Sequence, residues 1–384
     1  MTGRSKHTSH SAVPFILLAT LIPLSGPICR PATPPDGNGD ECTYTTLGSD
    51  ITSDTTLAAG CYDVTGTLEV SAGLTIQPGS TLRFQAGCGL EVTATGYISA
   101  IGTADSPIVF TGATQTRGSW SGIRFMDSSS ASNRLEYVTI RYGGAAGSGG
   151  LYLSSTDETT KVAISHCTLG QSAGSGLFVV GDADLTGFAS NTLTQNTQGP
   201  CVLPPNVVQY LDLDSDYTGN DQPSIILSEG TVTDGQIWAD LGVDYQATTI
   251  EVARDLTISP GVTIAFTSGG SMNVQSTGSL GAVGVPGREI ILTGVTQTPG
   301  SWEGLSYTDT SSPSNNLTLV TIEYGGATRA NLSLNTAPVR VSANECTFAH
   351  SATCGIYVAA GATINTDVAT VNTFTDNAGG DVCP

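Results

Sequence analysis

Apolar residues recur along this chain in close pairs separated by a single residue: Leu68/Val70, Leu74/Ile76, Leu82/Phe84, Leu90/Val92, Ile108/Phe110, Ile123/Phe125, Val138/Ile140, Leu151/Leu153, Val162/Ile164 and Leu177/Val179. Alternation over three to five residues marks short strands with one buried face. Gly, Pro, Asn or Asp stands in nearly every interval, as turns require.

Two architectures use such strands, an antiparallel sandwich and a coiled parallel stack. Hairpins call for tight Asn-Gly or Asp-Gly turns between strands of similar length, and these are scarce here. Instead the strands meet at Gly and Pro corners, as in a chain wound around a prism. Turns of about 20 to 25 residues, stacked at roughly 4.8 Å, predict some 15 turns and a rod of about 70 Å.

The pattern also repeats on a longer scale. Leu74-Thr75-Ile76-Gln77-Pro78-Gly79 returns as Leu256-Thr257-Ile258-Ser259-Pro260-Gly261, an offset of 182 residues. The same offset relates Gly118-Ser119-Trp120 to Gly300-Ser301-Trp302, and Val138-Thr139-Ile140 to Val320-Thr321-Ile322. From Leu74 to Gly144 the copies align without a gap, with about half the positions identical. The organisation this predicts is a signal segment over 1–28, a Pro/Gly-rich tether over 29–42, a first copy over 43–201, a connector over 202–229 and a second copy over 230–384.

Composition supports the array. Only 12% of the 384 residues are charged, too few for a disordered acidic tail, while 47 Gly break long helices. Thirteen Lys and Arg against 33 Asp and Glu leave a formal charge of −20. That surface repels phosphate backbones, which argues against nucleic acid and fits cations and neutral sugars. At the N-terminus Arg4, Lys6 and His7 precede an apolar stretch, Val13 to Leu24, too short to span a bilayer. It reads as an export signal, leaving no transmembrane span in the mature chain. Cys29 stands where a lipoprotein is acylated, although Gly26-Pro27-Ile28 departs from the usual box.

The runs at 74–84, 106–112, 118–125 (Gly-Ser-Trp-Ser-Gly-Ile-Arg-Phe) and 135–144 resemble those of bacterial right-handed parallel β-helix repeat proteins of the pectate-lyase-like superfold. The resemblance spans about residues 43 to 384. It implies an all-β solenoid, secreted or held at the surface of a Gram-negative cell. It implies little about activity, because the fold hosts lyases, hydrolases, adhesins and tail spikes.

Chemistry-bearing residues divide into those shared by the copies and those that are not. Cys167/Cys346 and Cys201/Cys383 match between copies, which suggests equivalent disulfides Cys167–Cys201 and Cys346–Cys383, with Cys42–Cys61 as a further pair and Cys88 and Cys354 unassigned. Trp120 and Trp302 are candidate sugar-stacking residues, or else aromatic covers at the same corner of each copy. Asp212, Asp214, Asp216 and Asp221 form the sharpest acidic cluster and a candidate Ca²⁺ site, though Tyr217 and Pro223 break the EF-hand pattern.

A pectate-lyase-like site would need a carboxylate nest with an Arg or Lys base. Arg124 and Arg141 are the candidates, and copy two has Ser306 and Glu323 in their places. Asn365-Thr366-Asp367 matches the start of a polygalacturonase pattern, but no Asp-Asp pair or Gly-His-Gly follows, and one Asp cannot be both acid and base. No GxSxG, phosphate loop or HExxH occurs, and no Thr-x-Thr array at fixed period is visible. The reading is a non-catalytic secreted or cell-surface protein that contacts glycans, with a Ca-dependent polysaccharide lyase and a structural spacer as alternatives.

Overall fold

The computed structural model describes residues 42–384. The expected export segment and the Cys29 lipidation site lie outside those residues. Over the described range the chain is almost entirely β, and every strand ladder is parallel. Three sheets line the faces of a coil. In the first half one face stacks 44–47, 61–64, 81–84, 108–112, 138–141, 168–170 and 192–194. A second stacks 68–70, 90–92, 123–126, 151–154, 177–180 and 201–203. The third carries 55–57, 73–76, 97–101, 134–136 and 163–165. The protein is a parallel β-helix, and its handedness follows the right-handed rule for parallel crossovers.

All ten apolar pairs read from the sequence point inward and are buried. They form one continuous core along the described chain. Corners between faces are made economically. A single left-handed residue, Tyr137 at φ 49°, turns the chain between 134–136 and 138–141, and Leu319 at φ 50° does the same at the matching corner of the second copy. Non-glycine residues resist this conformation, so the stacked rungs above and below must hold them. Buried asparagines satisfy the main chain at such corners. Asn133 accepts from the Ile98 amide at 3.0 Å and donates to the Lys161 carbonyl at 3.0 Å. Asn315 accepts from the Leu280 amide at 3.1 Å and donates to the Arg340 carbonyl at 3.2 Å.

Rungs are less even than the sequence predicts, running from 17 residues between the partners Tyr44 and Cys61 to 33 between Leu90 and Ile123. On the first face Thr81, Val109, Thr139, Thr168 and Thr192 are direct register partners, although 28, 30, 29 and 24 residues separate them.

At the junction the coil changes phase. The second face runs on from 201–203 through 225–227 and 245–247 to 263–266 and 290–294. By the 182-residue offset those last two segments are the counterparts of 81–84 and 108–112, which belong to the first face. The second copy is therefore turned by one face about the axis. The change falls across the connector. Pro204 and Pro205 start a short 3-10 helix, Pro205–Tyr210, that packs against 183–184 below and against 230–232 and 236–238 above. After it the chain returns to the first face, where Asp216 bridges Thr192, and 225–227 then continues the second.

Candidate functional site

The second face of the second copy is built from 249–252, 271–274, 304–307, 330–334 and 354–358. Its outward column reads Glu251, Asn273, Ser306, Ser333 and Tyr357, each opposite the next. The matching column of the first copy reads Glu69, Glu91, Arg124, Tyr152 and Phe178. Two long side chains of the first copy are thus two serines in the second. Where Arg124 lies 4.5 Å over the Tyr152 ring, which in turn stacks 5.6 Å from Phe178, the second copy has an open groove of about 540 Å³.

Hydroxyl and amide groups line that groove: Ser271, Asn273, Ser306, Ser333, Asn335 and Thr336. They are already ordered by one another. The Asn273 amide donates to Glu251 at 2.8 Å and accepts from the Ser306 hydroxyl at 2.8 Å. At the rim Thr328 donates to Glu303 at 2.5 Å. The Arg329 guanidinium donates to Asn335 at 3.2 Å and stands 5.1 Å over the Tyr357 ring. Ser306 and Thr328 use their single O–H on Asn273 and Glu303 and keep acceptor lone pairs toward the groove. The groove therefore offers a dense, pre-oriented set of neutral hydrogen-bonding groups, with one carboxylate and one guanidinium at its edge.

The residues singled out in the sequence lie elsewhere. Trp120 and Trp302 are wholly buried. Each indole N–H donates to a main-chain carbonyl at 2.8 Å, of Arg141 and Glu323 respectively, and each ring stacks on a phenylalanine, Phe84 at 4.2 Å and Phe266 at 4.4 Å. Neither presents a face to a sugar; both close the same corner. Arg124 and Arg141 sit on different faces and form no common site. Arg124 lies 3.9 Å from Glu91, and Arg141 donates to Thr111 at 3.3 Å.

The Asp cluster is spread along turns. Asp212 accepts from Ser215 and from the Asp214 and Ser190 amides. Asp216 accepts from the Thr218 hydroxyl at 2.7 Å and its amide at 2.9 Å, which holds its carboxyl below the usual range. Asp221 pairs with Arg117, and Asp214 is exposed. Among the described residues no three His, Cys, Asp or Glu side chains gather as metal ligands. Asn365 donates to Asp367 at 2.7 Å within one turn.

The cysteine pairing needs correction. Cys42–Cys61 is bonded as expected, and Cys383 joins Cys354 rather than Cys346. Both bonds span Cα distances of 6.1 Å, inside the range a disulfide bridges. Cys88 is disulfide-bonded as well. Cys167, Cys201 and Cys346 are buried free thiols. Cys167 and Cys201 point into the core from different faces, so the expected Cys167–Cys201 bond does not form. Cys167 donates to the carbonyls of Leu135 and Ser165, and burial pushes its thiol up to about 12.

Two features escaped the sequence reading. One is the groove, whose only sequence signal is the replacement of Arg124 and Tyr152 by small residues when the copies are aligned. The other is the column Thr81, Val109, Thr139, Thr168, Thr192 and its twin Thr263, Ile291, Thr321, Thr347, Thr373. Uneven rung lengths hide this β-branched ladder from any search at fixed period.

A family model described as a pectate-lyase like beta helix domain matches residues 49–151. The match covers the first copy's early rungs and stops short of the groove. No curated protein and no solved structure matches the chain.

Proposed function

We propose that this parallel β-helix repeat protein acts outside the cell as a binding protein, holding a glycan in the hydroxyl- and amide-lined groove of its second copy. The observation that carries the reading is the outward column of that face, where Ser306 and Ser333 stand in place of Arg124 and Tyr152 and open a trough over Asn273, Asn335 and Thr336. Sugars present many hydroxyls that each give and accept hydrogen bonds, and a rigid set of amides and hydroxyls meets them without reorganising. The disulfides Cys42–Cys61 and Cys354–Cys383 support an oxidising compartment, and no helix among the described residues is long and apolar enough to cross a membrane.

The test refills the groove. Purified protein is applied to a glycan array beside a Ser306→Arg/Ser333→Tyr variant, which restores the first copy's side chains. Binding by the parent and its loss in the variant, with unchanged thermal melting, is the expected result. Equal binding by both would place any glycan contact elsewhere.

A polysaccharide-active enzyme is the second reading, favoured by Glu303 and Arg329 on one rim. Pectate, alginate and neutral polymers incubated with the protein and Ca²⁺ should yield no new unsaturated or reducing ends. Chain cleavage that disappears in the refilled variant would make the groove an active site.

A further inference from the structure

A second groove, of about 520 Å³, lies at the junction of the copies, where the second face passes from 177–180 and 201–203 into the connector and the start of the next copy. Its floor is apolar. Phe178, Val180, Val202 and Pro204 line it, and Val180 is 40% exposed. Its rim is acidic. Asp182 and Glu229, both exposed, line it, and no Lys, Arg or His among the described residues does. Behind it Tyr210 lies close enough to Asp184, Asp234 and Asp182 that, after burial, these carboxylates raise its phenol further.

This combination is selective. An apolar floor favours displacing water with a hydrocarbon body, and two carboxylates at the rim disfavour any anion. A neutral apolar ligand would cover those carboxylates and strip water from them without offering a partner, which is costly. A divalent ion finds too few ligands, because no group of three carboxylates forms among the described residues. We propose that the junction groove binds a small amphipathic amine, its ammonium between Asp182 and Glu229 and its apolar body over Phe178, Val180 and Val202. Its volume falls among small-molecule sites. The negative protein as a whole draws cations toward it.

The experiment compares three probes of one shape, hexylamine, hexan-1-ol and hexanoate, by saturation-transfer NMR at low salt. Hexylamine should bind about tenfold more tightly than hexan-1-ol, hexanoate should be weakest, and the gap should shrink in added salt. An Asp182→Asn/Glu229→Gln variant should bind amine and alcohol alike. The control Asp105→Asn/Asp381→Asn removes the same charge from exposed remote sites and should keep the preference. Melting curves verify that each variant is folded. Equal binding of amine and alcohol by the parent, no amine binding at millimolar concentration, or a preference that survives in the Asp182/Glu229 variant would each overturn the proposal.

Discussion

Tyr307 offers a direct test of how the core is put together. Its ring points inward between Val274 and Leu334 on the rungs either side, it has no exposed surface, and its hydroxyl has no hydrogen-bond partner among the described residues. Burial first, and then the Cys346 thiol, drive its phenol far above the ordinary range. The same position in the first copy is Phe125, also fully buried. One core therefore accepts either ring, and only the second contains a hydroxyl stripped of water. Leaving a buried hydroxyl unpaired costs about 1–3 kcal/mol. Tyr307→Phe removes that cost and keeps the ring, so it should stabilise the protein by about 1 kcal/mol. The reciprocal change, Phe125→Tyr, should destabilise by a similar amount, with extra loss where the new oxygen crowds its neighbours. Urea unfolding followed by circular dichroism reads both, as shifts of the midpoint in opposite directions at unchanged slope. Should Tyr307→Phe lower stability by about 1 kcal/mol or more, the hydroxyl must have a partner, such as a buried water, and the reasoning fails.

Truncating Trp302 to Ala should cost about 3–5 kcal/mol, since it removes both the stack on Phe266 and the bond to the Glu323 carbonyl; calorimetry would measure the fall in melting temperature. Cys167, Cys201 and Cys346 should be silent to a thiol reagent at about pH 8 in the folded protein and react once urea exposes them, because burial holds all three as protonated thiols. The Asp127 carboxyl accepts from the Asp157 and Thr156 amides and the Thr156 hydroxyl, which hold it down to about 2. Its folded value lies below its unfolded one, so its contribution to stability is complete above roughly pH 4 and lost as pH falls through about 2. Carbon-detected NMR titration of that side chain should place its midpoint near about 2.

The alternation of apolar residues was enough to locate ten strands of the first copy and their buried faces, because burial in a strand is a local, period-two property. What sits beside what was not legible. Thr139 and Thr168 touch across a rung only because an intervening loop happens to be the right length, and that length is not periodic. The same holds for the disulfides. Cys346 and Cys383 match Cys167 and Cys201 in sequence, yet Cys383 bonds to Cys354, a cysteine with no twin, because the two share adjacent rungs of one face. Duplication correctly marked the Trp corners as scaffold. The groove was invisible for the opposite reason: it consists of missing bulk, and serine carries no motif.

The one-face turn at the junction bears on avidity. Two linked sites strengthen binding only when a partner can engage both at once. Here the duplicated surfaces do not look in the same direction. A flat partner laid along the rod meets the second face of the first copy and the first face of the second, never two equivalent patches. The repeated surfaces therefore do not make this molecule bivalent toward a plane. The outward side chains differ accordingly: one column carries Arg124 and Tyr152 where its twin carries Ser306 and Ser333.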